Sequence, residues 1–97
     1  MNLGVMTKAP DDVLDYDIDY SLWLPPQDRI ASVDAALQDA SPNCTISIRQ
    51  SQYADRSAKI WLAGGAAGDT ATVAVTINTN AGRTKEACFR IRVRECS

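Results

Sequence analysis

The feature that most constrains this chain is its alternation of apolar and polar residues with a period of two. In DVLDYDIDYSLWL (residues 12–24), Leu14, Tyr16, Ile18, Tyr20, Leu22 and Leu24 interleave with Asp15, Asp17 and Asp19. Successive side chains of a strand point to opposite faces, so the apolar residues share one side and the aspartates the other. Near the other end, ACFRIRVREC sets Ala87, Phe89, Ile91 and Val93 against Arg90, Arg92 and Arg94. On a helix either pattern would scatter its apolar residues around the circumference, so both segments read as amphipathic strands.

The same period runs through most of what lies between. Pro25 and Pro26 end the first ladder, because proline cannot donate to it. IASVDAAL (30–37) reads as extended, since its flanks are strand-like, and QDASPN (38–43) is a turn-rich break. CTISIRQSQY then places Cys44, Ile46 and Ile48 opposite Thr45, Ser47 and Arg49. AKIWLAGG (58–65) leads into the bend GGAAGD, and ATVAVTINT (71–79) is followed by the turn NAGR. Strands about eight to twelve residues apart, separated by turn signals, indicate an all-β sandwich or small barrel. At 97 residues this is one domain with a modest core. Residues 1–12 read as an extended N-terminal arm that orders on a neighbour, and residues 13–97 as the sandwich.

Charge narrows the function classes. The net formal charge of −2 argues against a protein that coats nucleic acid. Residues 1–48 hold eight aspartates against Lys8 and Arg29, net −6; residues 49–97 hold eight lysines or arginines against Asp55, Asp69, Glu86 and Glu95, net +4. The halves can pair within one chain or present complementary patches to further copies. No run approaches the ~20 apolar residues of a membrane span, and the start lacks the pattern of a secretory signal. Cys44, Cys88 and Cys96 have no metal-ligand spacing. On the strand phases Cys44 points inward and Cys88 outward, so reduced thiols are expected.

Several constellations invite a chemical reading. D-x-D-x-D at 15–19 opens like a calcium loop, but that loop needs Gly at its sixth position and Glu at its twelfth, where Tyr20 and Pro26 stand. GGAAG at 64–68 lacks the Lys-Ser/Thr of a phosphate-binding loop and is read as a turn. The chain has no histidine, which removes Ser-His and Cys-His nucleophiles, and no cofactor or metal is expected. Asp15, Asp17 and Asp19 therefore read as a solvated strand face. Arg90, Arg92 and Arg94 have the same spacing and opposite sign, so the first and last strands are expected to be neighbours, within one chain or across a subunit contact. Trp23 and Trp61 fall out of phase with the apolar face of their strands. They either close the sandwich edges or anchor a partner.

The run LDYDIDYSLWLPPQDRI, followed by AKIWLAGGAAGDTATVAVTINTNAGRTKEACFRIRV, resembles small structural proteins encoded in the head gene clusters of tailed bacteriophages. The shared pattern is a lysine–proline arm, L-D-Y-x-x-D-W/Y-S-x-W-L, an acidic residue before Ile, a hydrophobic-W-L-x-G-G-x-x-G segment, T-x-x-G-R-T and F-x-I-x-V. It is matched here at 14–16, 19–21 with Trp23 and Leu24, Asp28 and Ile30, 61–65 with Gly68, Thr79 with 82–84, and Phe89, Ile91 and Val93. Residues 31–57 carry none of it.

The resemblance implies an Ig-like Greek-key β-sandwich and a virion structural role, with assembly in the host cytoplasm and no catalytic residues. Capsid decoration or cementing, by docking on the major capsid protein or on copies of itself, is one expectation. A neck or tail-attachment subunit at the head–tail junction is the second. A surface- or carbohydrate-binding Ig-like module using Trp23 and Trp61 is the third. Neither membrane nor nucleic acid is an expected partner.

Overall fold

The computed structural model describes residues 2–95 as strands joined by turns, bends and irregular loops. Seven strands follow in order: β1 (Asn2–Lys8), β2 (Leu14–Asp19), β3 (Ile30–Gln38), β4 (Ile46–Tyr53), β5 (Ser57–Gly64), β6 (Thr70–Thr79) and β7 (Thr84–Val93). They form two sheets, one ordered β1-β7-β6-β3 and the other β2-β5-β4. Every pairing is antiparallel except β1 with β7, which is parallel. Lettered A to G, the second sheet is B-E-D and the first adds strand A to G-F-C. That is the immunoglobulin strand order, with the first strand moved across to pair with the last.

Alternation builds the core directly. Ile60 and Leu62 of β5, Val73, Val75 and Ile77 of β6, and Phe89, Ile91 and Val93 of β7 are buried between the sheets. Tyr16 of β2 reaches across to Phe89 of β7, ring centroids 5.5 Å apart. The apolar sides of β2 and β7 thus meet in one core, from opposite sheets. Their polar sides must then point away from each other.

Three expectations are corrected. First, β2 and β7 are not neighbours: β2 pairs with β5, while β7 lies between β1 and β6. Second, the first ladder stops at Asp19. Trp23 and Leu24 donate their amides to the Tyr20 carbonyl at 3.0 and 2.9 Å, curling the chain before the prolines. Tyr20 and Leu24 stay buried, but Leu22, in phase with them, is fully exposed at the crest of the turn. Third, the N-terminal segment is extended but does not stand free, because β1 is hydrogen-bonded to β7 within the same chain. A bulge between Asn2 and Val5, with Gly4 at φ +92°, shifts its phase so that Leu3 and Met6 both pack on the core.

Candidate interaction surfaces

The outer face of the β2-β5-β4 sheet carries the aspartates. Asp17 is paired with Lys59, Asp15 with Trp61 and Asp19 with Ser57. The Lys59 ammonium lies 3.4 Å from Asp15 and 4.0 Å from Asp17, both pairs being solvent-exposed. Asp19 accepts the Ser21 amide at 2.8 Å, which, with the Ser21 hydroxyl, holds its carboxyl below the ordinary value. Asp17, Asp19 and Lys59 line a shallow depression of about 500 Å³ together with Gln52, Tyr53 and Ser57. Trp61 lies on this face half-buried, and its indole N–H is enclosed without a partner among the described residues.

The arginines occupy the outer face of the other sheet. Arg90, Arg92 and Arg94 are exposed. Arg90 donates to the hydroxyls of Thr72 and Thr70 on β6 at 3.1 and 3.2 Å. None of the ion pairs among the described residues involves any of the three. Val5 of β1, opposite Arg90, stands 58% exposed beside them.

One end of the sandwich is made by three loops, 20–29, 54–56 and 80–83. Arg56 organises it. Its guanidinium donates to the carbonyls of Ser21 and Leu24 at 2.9 and 2.8 Å, and of Pro25 and Asp28 at 3.3 and 3.4 Å. Only a planar fork of five donors can serve so many acceptors around one turn. Asp28 then ties this loop to the next, receiving the Arg29 and Ala81 amides and the Arg83 guanidinium. Burial alone would raise its carboxyl; hydrogen bonds from Thr79, Ala81, Arg29 and Arg83 outweigh that and hold it below the ordinary value. Trp23 packs against the core from this end, with the Lys85 ammonium 5.6 Å above its ring. Leu22 projects beyond it.

The opposite end is latched by two buried charges. Lys8, 3% exposed, donates to the carbonyls of Gly64 at 2.6 Å, Ala9 at 2.7 Å and Pro10 at 3.4 Å. Asp69 accepts the Ala66 and Thr45 amides, and these bonds lower its carboxyl.

The eight residues singled out from sequence are therefore not one site. Asp15, Asp17, Asp19 and Trp61 share the B-E-D face, Arg90, Arg92 and Arg94 lie on the opposite face, and Trp23 seals an end. The tryptophans do not converge, so a sugar platform built from both has no geometric basis. Sequence reasoning missed Arg56, whose role depends on carbonyls some thirty positions away, and Leu22, whose phase disguised it as core. Among the described residues no cluster of acidic or thiol groups is arranged to hold a metal ion, and no helix is long and apolar enough to cross a membrane. Cys44 lies against the core and Cys88 on β7, both as free thiols, while Cys96 lies outside the described residues.

A family model described as Podophage GP4 fiber-tail adaptor protein gp77 matches residues 8–92. The chain belongs to this family. It is thus a bacteriophage structural protein of the virion, as its resemblance to phage structural proteins implied. The family's description concerns the tail rather than the head surface. No curated protein matches the chain significantly. Several residues that carried the resemblance act as fasteners in this chain. Lys8 donates to the carbonyls of Pro10 and Gly64, and Asp28, Thr79 and Arg83 join two loops. They hold the frame.

Proposed function

We propose that this chain is a non-enzymatic adaptor subunit that joins a fibre to the tail of a podophage-type particle, and that its three-loop end makes one of the two contacts. The observation that carries the reading is the family match over residues 8–92. The loop end supports it physically. A fully exposed leucine sits on a turn already fixed by four carbonyl bonds to Arg56, so docking it into an apolar pocket of another virion protein orders little further chain. The absence of histidine from the chain supports a role without catalysis.

Capsid decoration is the less supported alternative, because the family description refers to fibre and tail. The test is to make particles lacking the chain. Heads and tails without fibres, restored by adding the purified protein but not Leu22→Glu, are expected. Fibres still attached to particles that lack the chain would overturn the reading. So would a copy number matching the major capsid subunit.

A further inference from the structure

The two charged ladders lie on outward faces of opposite sheets, so they cannot neutralise each other within one molecule. We propose that these faces bind each other between copies, the aspartate face of one chain against the arginine face of the next, giving a head-to-tail series that closes into a ring. The inference concerns contacts between copies and stands apart from which virion protein receives Leu22.

Spacing and charge both fit. Alternate residues of a strand are about 6.6–6.8 Å apart, so Asp15, Asp17 and Asp19 on β2 can meet Arg90 and Arg92 on β7, and Arg94 just past its end, along their length. Asp15, Asp17 and Asp19 concentrate negative charge along β2, the margin of its sheet, with Lys59 engaging the first two; Arg49, at the β4 bulge, lies on the far margin. On the opposite face, Arg90 and Arg92 lie toward the end of β7 with Arg94 just past it, while the acidic Asp34 of β3 and Glu86 of β7 stand further along the sheet, on either side of Thr76 of β6. Apolar surface flanks both ladders. Tyr53, 49% exposed, lines the depression beside Asp17 and Asp19, and Val5 stands next to Arg90.

The symmetry follows from the charges. A two-fold dimer would press aspartates on aspartates or arginines on arginines, which repel. Joining unlike faces leaves one unused face at each end, so association continues until rotation closes the series. Exposed ion pairs are individually weak, so a single contact is weak and closure multiplies it. Weak contacts of this kind let copies add to a tail without aggregating when free.

The test is sedimentation of the purified full chain at up to about 1 mM, a concentration that reveals millimolar contacts. Salt is varied between 0.01 M and 1 M, where the screening length falls from about 30 Å to about 3 Å. Concentration-dependent oligomers at low salt that dissolve at high salt are expected. Asp15→Asn with Asp17→Asn removes one face, and Arg92→Gln with Arg94→Gln removes the other. Each double variant alone should be monomeric, and an equimolar mixture should stop at a one-to-one dimer. Unchanged circular dichroism and melting would show that these exposed substitutions leave the fold intact. A monomeric wild type at low salt overturns the proposal, as does association indifferent to salt or to either double variant. Fibre attachment is read separately on particles, so either proposal can fail alone.

Discussion

Asp28 and Arg83 meet at 2.9 Å between the loop that follows β2 and the hairpin joining β6 to β7, with the Asp28 side chain 3% exposed and that of Arg83 48%. The enclosed carboxylate is the organising partner. It also accepts two backbone amides, so its charge fixes main chain as well as a side chain.

This makes the loop end acid-sensitive. The folded carboxyl of Asp28 is held below its ordinary 3.8, so its contribution is fully present above that value. As pH falls below 3.8 the unfolded chain takes up the proton first. The contribution shrinks, and it is gone once pH passes the lower folded value. Asp69 acts with the same sign at the other end. Melting temperature followed downward from pH 6 should be flat at first and drop below about pH 4. Asp28→Asn should melt lower at neutral pH and show a shallower acid drop, Asp69 accounting for what remains. An unchanged acid profile would remove Asp28 from this role.

Arg56→Lys keeps the charge and removes the fork. A lysine ammonium has only three donors at a single point, so at least one of the four carbonyls spread from Ser21 to Asp28 loses its donor. A loss of about 2–3 kcal/mol in urea unfolding is expected, within the range for hydrogen bonds to a charged group. Because Leu22 depends on this turn, fibre restoration by the variant should fall even where it remains folded. A variant as stable as wild type would mean that the prolines alone hold the loop.

Tyr20→Phe should go the other way. Tyr20 is 1% exposed, its hydroxyl has no partner among the described residues, and burial pushes its phenol up to about 12. Removing a buried, unpaired hydroxyl at nearly constant shape is expected to leave stability unchanged or raise it by up to ~1 kcal/mol. The same denaturation curves measure it. A clear loss would show that the hydroxyl is hydrogen-bonded.

What could be read from the sequence follows from the range of the forces involved. Alternation is local, so strands over 14–19, 30–37 and 87–93 were legible, as was the two-sheet class, though not where the first and last begin and end. Pairing is not local. Asp15, Asp17 and Asp19 match Arg90, Arg92 and Arg94 in period and sign, yet burying Tyr16 and Phe89 in one core puts the two ladders on opposite outsides. The N-terminal segment reads as an arm from sequence, and its apolar residues Leu3, Val5 and Met6 do not alternate cleanly. Gly4 and a bulge restore their phase, and only the pairing with β7 reveals it. Leu22 failed for a related reason: alternation continues past Asp19 in the sequence, but the hydrogen bonds to the Tyr20 carbonyl end the strand.

Lys8 offers the sharpest test of how β1 is held. β1 is an edge strand, joined to one neighbour, with only Leu3 and Met6 on the core, so side-chain bonds at its end carry unusual weight. Lys8→Met preserves length and apolar packing but leaves the Gly64 and Ala9 carbonyls without their short bonds. Carbonyls left without a donor cost roughly 1–3 kcal/mol each when buried, and less for part-buried ones such as these. Relief should come locally, by release of β1 from β7, before the central strands open. Hydrogen exchange in Lys8→Met should therefore accelerate strongly at the β1 amides, with β6 and the β6-facing side of β7 little changed. Lys8→Arg should not rescue the strand, because the planar guanidinium is too broad for a site that encloses a single ammonium. Acceleration spread evenly over all strands would instead make Lys8 a global determinant, and no acceleration would show that β1 is secured by its ladder with β7 alone.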